Sequence, residues 1–244
     1  AYRLNGNLVF SNHFSTPHAT RVVKNFFPAL LSRGVVQLSA YIDQILSSFL
    51  GAATVSALAY GQTLALLPVS LFGMSISSAE LPALSSITGT KEEVNLKLKD
   101  RLALGLSRIS FFVIPSVLAF LILGDAIVGF VYQTGKFGSS DTVFVWWILG
   151  GDSLGLLAST RSRLCVSVFW SMNNTRTPAK YALFRVLSNA IISCVVVFYF
   201  RNSESLNSYQ LAGLLGVSAS FTGWLELWLI RNKFPPGFQV LCMN

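Results

Sequence analysis

The sequence predicts an all-α, polytopic bundle of transmembrane helices, and three observations support this. Apolar residue types make up 52% of the 244 residues, whereas charged types make up only 11%. The mean hydropathy is +0.58. Because a soluble domain carries about 25% charged residues, this chain lacks the charge of an ordinary globular surface. The apolar residues also form continuous runs, which favour helices over the alternating strands of a membrane barrel.

This composition argues against a soluble enzyme, a disordered chain and a nucleic-acid-binding domain. The net charge is +8, but the basic residues lie in short clusters between apolar runs and form no single patch. The three cysteines form no CxxC motif or Cys/His cluster, so neither a metal site nor a disulfide framework is predicted. No HExxH or Walker A motif occurs, and a chain predicted to be all-helical offers no strand-to-helix turn for a nucleophile elbow. We therefore expect no enzymatic activity, no cofactor and no nucleic-acid partner.

Six apolar runs are predicted to cross the membrane, each near the roughly 20 residues that a bilayer requires. They cover residues 26–50, 54–79, 103–123, 142–172, 179–200 and 208–230. Together they form one helical lobe over 26–232, between a polar N-terminal segment, 1–25, and a C-terminal tail, 233–244. The chain begins with Ala1 and shows no signal peptide, so we expect it to be part of a longer protein.

Three of the predicted spans contain features that are expected to bend or extend them. Pro68 lies inside the second span and is expected to kink it. The third span is followed by a short apolar stretch, 126–132, which either continues the helix or forms a separate piece. The fourth span is long, and it is expected to be tilted or broken near Gly150-Gly151.

Lysine and arginine residues are concentrated in alternate connections, which sets the predicted orientation. The connections on the opposite side hold only Lys136 and Arg201. Because positively charged loops stay in the cytoplasm, both ends of the chain are placed there. The predicted location is a bacterial inner (plasma) membrane, with a plastid envelope as the alternative.

Polar residues within the first span bear most directly on function, because charge inside a bilayer is costly. Four of them fall within about an 80° sector of the helix. These are Arg33, Gln37, Gln44 and Ser47. Either this stripe lines a hydrated cavity in which Arg33 binds a phosphate or carboxylate, or Arg33 extends to the cytoplasmic headgroups. Asp43, on a neighbouring sector, is expected either to pair with a structural partner or to coordinate a cation.

The second span carries hydroxyl residues along one face, which serve either substrate binding or helix packing. These are Ser56, Tyr60, Thr63 and Ser70. Packing is favoured for Ser56 and Ser70. Tyr60 and Thr63 therefore join Arg33, Gln37 and Gln44 as the candidate substrate-binding residues.

The charges of the later spans are given structural roles. Arg161 and Arg163 are expected to anchor the cytoplasmic end of the fourth span, and Arg185 is expected to extend to the headgroups. Glu226 and Arg231 are five positions apart on the helix and are poorly placed to pair.

Several segments occur in a recognisable order and spacing. They are SRGVVQ (32–37), AYIDQILSSFL (40–50), SALAYGQTL (56–64), LPVSLFGM (67–74), ELPALS (80–85) and NTRTP (174–178). Together they resemble the MurJ (MviN) family of lipid II flippases, within the MATE-like exporter superfamily. The resemblance covers about residues 20–200.

The resemblance implies an alternating-access carrier that moves undecaprenyl-linked lipid II across the membrane for cell-wall synthesis. Family members have about fourteen spans in two lobes, and this chain resembles spans seven to twelve. Membrane lipids and a first-lobe partner chain are therefore further implied partners. The alternatives are a polysaccharide-lipid or drug exporter of the same superfamily, and a noncatalytic membrane remnant.

The resemblance also concerns individual residues. Many family members have an Asp-Arg pair where this chain has Gln62-Thr63, so Arg33 is left as the cavity arginine of this half. Asp43 matches a family position that helps to form a sodium site, with polar partners expected on the fifth span.

Overall fold

The computed structural model describes residues 34, 37–172, 174–200 and 207–234, and all regular structure among them is helical. The first helix, α1, covers 37–48. It is followed by α2 (Ala52–Pro68), a π-helical segment (Val69–Met74), α3 (Ser75–Ser85), α4 (Lys91–Tyr132), α5 (Ser139–Ser153), α6 (Leu156–Ser171), α7 (Arg176–Phe200) and α8 (Ser208–Arg231). The all-α prediction is confirmed.

Four helical stretches of the described chain are long and apolar enough to cross a membrane. They are Ala52–Ser85, Glu92–Tyr132, Arg176–Tyr199 and Ser208–Arg231. Helices α5 and α6 together would make a fifth, broken span. The start of the first predicted span, 26–50, lies outside the described residues.

Helix α4 is a single helix of 42 residues, about 63 Å long at 1.5 Å per residue. It begins at a capping box, in which the Thr90 hydroxyl accepts from the Glu93 backbone N–H and the Glu93 carboxylate accepts from the Thr90 N–H. One helix thus contains the predicted third span and the apolar stretch 126–132, which is the end of that helix. Since a bilayer core is only about 30 Å thick, the polar first turns of α4 extend beyond it.

The second predicted span is continuous through Pro68, with a π-helical segment directly after the proline. Proline has no backbone N–H to donate, so one helical hydrogen bond is lost there. The wider π-helical turn that follows accommodates this loss. The Ser75 hydroxyl donates to the Ser70 carbonyl at 3.0 Å across this turn. The expected kink at Pro68 therefore takes the form of a π-helical turn.

The fourth predicted span is broken at Leu154-Gly155, with a 43° bend between α5 and α6. The break lies beyond the Gly150-Gly151 pair at which the sequence placed it, and the reason is in α8. The Ser220 hydroxyl donates to the Gly151 carbonyl at 2.6 Å, and the Trp224 indole N–H donates to the Leu154 carbonyl at 2.9 Å. Carbonyls freed inside a membrane need such donors, so α8 stabilises the bend.

Helix α8 is the centre of the bundle and packs against α5, α6 and α7. In the apolar 18-residue segment of each helix, 56% of α8 is buried inside the bundle, against 22% of α4. The main apolar core is formed by the helices from α2 through α6 together with α8. A second, small cluster joins α1, α7 and α8 through Leu46, Val197 and Leu215. Large apolar side chains such as Phe111, Ile122 and Ile191 face outward, as expected of helices in lipid.

Candidate functional site

The structure describes four of the five predicted substrate-binding residues. Arg33 lies outside the described residues. Gln37 is exposed and Gln44 is half-buried on α1, whereas Tyr60 and Thr63 are both exposed on α2. The Thr63 hydroxyl donates to the Ala59 carbonyl of its own helix at 2.8 Å.

Ser47 belongs to the predicted polar stripe by helical spacing, but it is buried, so its predicted place on a hydrated cavity wall is wrong. It is fully buried, and its hydroxyl donates to the Gln44 carbonyl at 2.8 Å. The buried face of α1 is formed by Asp43, Leu46 and Ser47, because these residues are the ones turned toward α7 and α8. Gln37 and Gln44 lie to one side of that face.

Asp43 lies at the centre of a buried polar group that joins three helices. The Asn189 side-chain amide of α7 donates to both Asp43 carboxylate oxygens, at 2.9 and 3.1 Å, and the Ser193 hydroxyl donates to Oδ1 at 3.4 Å. The Ser218 hydroxyl of α8 lies 3.1 Å from that of Ser193 and donates to Asn189 Oδ1 at 3.4 Å. We call these four residues the Asp43 cluster.

Asn189 and Ser193 are polar partners on the fifth span that sequence analysis did not identify. They are one helical turn apart in an otherwise apolar run, so they lie on one face of α7. That spacing is the signal that could have found them. Asp152 of α5 also lies within electrostatic range of Asp43. Among the described residues, however, no group of three His, Cys, Asp or Glu could hold a metal ion.

Arg185 and Glu226 form an ion pair between α7 and α8, with Arg185 Nη1 at 3.0 Å from Glu226 Oε2. The Glu226 side chain is only 7% exposed. The prediction that Arg185 extends to the headgroups is therefore wrong. A buried carboxylate needs a partner, and packing of α7 on α8 brings Arg185 to it.

Arg161 is buried between α4 and α6 and is not the interfacial anchor that the sequence predicted. Its side chain is 5% exposed, and its Nε and Nη2 donate to the Ser110 hydroxyl at 3.1 and 2.7 Å. Beside the N-terminal half of α4, Glu80 Oε2 lies 3.2 Å from Arg101 Nη1, and Glu80 Oε1 lies 3.8 Å from Arg108 Nη1. Both arginine side chains are largely exposed there.

A cavity of about 500 Å³ opens at the opposite end of the bundle, between α2, the end of α4 and the start of α5. We call it the outer cavity. Its lining includes Ser56, Tyr60, Tyr132, Thr134, Lys136 and Phe137. Of the predicted substrate-binding residues, Tyr60 alone contributes to the described lining.

Comparisons with known proteins agree with this architecture. The family model described as lipid II flippase MurJ matches residues 3–233. The chain is 28% identical over 233 residues to the probable lipid II flippase MurJ of Buchnera aphidicola subsp. Acyrthosiphon pisum, covering 95% of this chain and 43% of that protein. It is also 28% identical over 221 residues to the corresponding protein of Rickettsia prowazekii, covering 90% and 41%. The chain thus spans less than half the length of these relatives.

A solved structure shows the same fold. It is the lipid II flippase MurJ in an inward closed conformation, which aligns with a TM-score of 0.71 and 27% identity over 99% of this chain and 49% of that one. The chain therefore has the fold of a helical membrane transporter and is integral to a membrane. Because the family model matches nearly all of its residues, the chain belongs to the MurJ family of lipid II flippases.

Proposed function

We propose that the chain forms the second lobe of an alternating-access flippase that moves undecaprenyl-linked lipid II across a bacterial inner membrane. The observation that carries the proposal is the likeness in fold to a MurJ flippase along essentially the whole chain. Lipid II is the substrate, membrane lipids surround the bundle, and a first lobe completes the cavity. Two lobes that rock about a central site are the usual basis of alternating access.

The exposed polar face of α2 supports this function. Ser56, Tyr60 and Thr63 follow one another at helical spacing, and all three are exposed. Polar side chains on a membrane helix usually face a water-filled cavity or a partner, because lipid offers them no hydrogen bonds. We therefore assign this face, with Gln37 and Gln44 of α1, to the cavity wall that contacts the lipid II headgroup.

Arg33 lies four residues before Gln37 in the sequence, and we propose that it binds the diphosphate. We expect Arg33→Ala to reduce growth rescue about 10- to 100-fold, as the loss of a charged hydrogen bond worth about 1.5–3 kcal/mol would. The measurement is complementation of a bacterium depleted of its own lipid II flippase, by this chain with a MurJ first lobe. The matched control is Arg176→Ala, which removes an exposed arginine at the start of α7.

Equal rescue by Arg33→Ala and by the unchanged chain would contradict the role of Arg33. If the chain does not rescue growth either alone or with the first lobe, although it is inserted in the membrane, the flippase function would be contradicted. This result would favour transport of another polysaccharide-linked lipid or a noncatalytic role. Rescue by the chain alone would show that a first lobe is not required.

We also propose that the Asp43 cluster binds a monovalent cation such as sodium. Two carboxylate oxygens, two serine hydroxyls and one amide oxygen lie together there, and hard cations prefer oxygen ligands.

Sodium should raise the free energy of unfolding by about 2.7 kcal/mol at 100 times its Kd, and this increase should vanish in Asp43→Asn. The measurement compares sodium with choline at equal ionic strength. Glu80→Gln, outside the cluster, should keep the response; a sodium response in Asp43→Asn would contradict the site.

A further inference from the structure

Three aromatic rings form one wall of the outer cavity. The Tyr60 ring centroid lies 4.8 Å from that of Tyr132 and 5.6 Å from that of Phe137, which meets Tyr60 edge-on. The centroids of Tyr132 and Phe137 are 6.1 Å apart. These rings come from α2, the end of α4 and the α4–α5 loop, so the cluster depends on the tertiary fold. Each tyrosine also brings a hydroxyl group to an otherwise apolar wall.

The lining of the outer cavity includes one basic side chain, Lys136, and one acidic side chain, Asp141. Lys136 is exposed and forms no ion pair within the part of the chain that the structure describes. The carboxylate of Asp141, the acidic lining residue, accepts from the Gly138 backbone N–H at 2.9 Å and so caps α5. Asp141 is thereby held at the helix terminus, and Lys136 remains the group that can receive an anion.

We propose that the outer cavity binds a pyranose ring that carries a carboxylate on an attached group. One face of a pyranose ring presents C–H bonds, which pack favourably on the electron-rich face of an aromatic ring. The hydroxyls of Ser56 and Thr134 can hydrogen-bond the sugar, while the Lys136 ammonium pairs with the carboxylate. The volume, about 500 Å³, lies within the range of sites for small ligands.

This inference rests on the proposed flippase function and adds a second binding site to it. The cavity lies at the end of the bundle opposite the basic loops, which the charge distribution places outside the cytoplasm. The sugar–peptide headgroup of lipid II has the required chemistry, since its peptide carries free carboxylates. The outer cavity would therefore hold the headgroup after transport, with Ser56 and Tyr60 shared between it and the cavity wall on α2.

The test uses the whole chain in nanodiscs of a zwitterionic lipid and a soluble headgroup without its lipid, a disaccharide with its peptide attached. Saturation-transfer NMR and titration calorimetry report binding. We expect Lys136→Gln and Tyr132→Leu each to weaken binding about tenfold, as the loss of one charged contact or one ring would. The disaccharide without peptide should bind the unchanged chain about as weakly as the full headgroup binds Lys136→Gln.

Two control variants match these changes away from the cavity. Lys97→Gln removes an exposed lysine at the cytoplasmic end of α4, and Tyr209→Leu removes a tyrosine that packs on Trp147. Neither should alter binding by more than about twofold, because neither residue lines the cavity.

Absence of headgroup binding to the folded chain would overturn the inference, and so would equal binding to Lys136→Gln and the unchanged chain. Binding only of a phospholipid headgroup, seen when anionic lipid is added, would also overturn it. These outcomes are separate from the complementation result. Rescue of growth without binding of the soluble headgroup refutes the outer site alone. Binding of the headgroup without rescue refutes the flippase function alone.

Discussion

Replacing Gly151 with alanine will destabilise the bundle far more than the same change at its neighbour Gly150. A Cβ atom at Gly151 would lie 2.5 Å from the Gly213 carbonyl oxygen and 3.0 Å from the Val217 backbone nitrogen. These are backbone atoms of α8, so no side-chain rotation can relieve the contact. Helices α5 and α8 must move apart, and we expect a loss of about 3 kcal/mol in the free energy of unfolding.

Gly150 provides a matched control one residue away. A Cβ atom there would meet nothing within 4 Å. Alanine also favours the helix over glycine by up to about 1 kcal/mol, so Gly150→Ala should be neutral or stabilising. The measurement is unfolding of each purified variant by titration with SDS, followed by circular dichroism. Equal stability of the two variants would show that α5 and α8 do not approach as closely as the structure places them.

Separating the Arg185–Glu226 pair should have the second large effect on stability. The Glu226 carboxylate is nearly buried, so Arg185→Leu leaves a charge between α7 and α8 without the partner at 3.0 Å. Breaking a buried pair by removing one member typically costs about 3–5 kcal/mol. Replacing both residues by leucine removes the stranded charge as well, and it should recover most of that loss.

The same SDS titration gives the coupling energy of the pair through a double-mutant cycle. The pair of Glu80 and Arg101 is the control, because Arg101 is 49% exposed, Glu80 keeps Arg108 at 3.8 Å, and surface pairs contribute about 0–1 kcal/mol. Arg101→Leu should therefore change stability by less than about 1 kcal/mol. Additive losses in the Arg185→Leu/Glu226→Leu double variant would mean that the two residues do not act as a pair.

Features that depend on local composition could be predicted from the sequence. Apolar length and low charge indicate membrane helices, because each span must satisfy its own backbone hydrogen bonds in lipid. Helical spacing also predicts that Tyr60 and Thr63 share one face of α2. The family likewise follows from the order and spacing of short segments along the chain, which do not depend on how the helices pack.

Features that depend on which faces meet could not be predicted from the sequence. Helical spacing alone grouped Ser47 with Gln37 and Gln44, although packing on α7 and α8 buries it. Asn189 lies 146 positions from Asp43, so no local pattern links the two.

Hydropathy and motif order are enough to identify this chain as a helical membrane bundle of the MurJ family, since both are properties of the chain as written. Helix packing, in contrast, sets where α5 breaks from α6, which charge Arg185 neutralises and which rings line the outer cavity. A buried polar group takes whatever partner the packing brings within hydrogen-bond distance, at any separation along the chain.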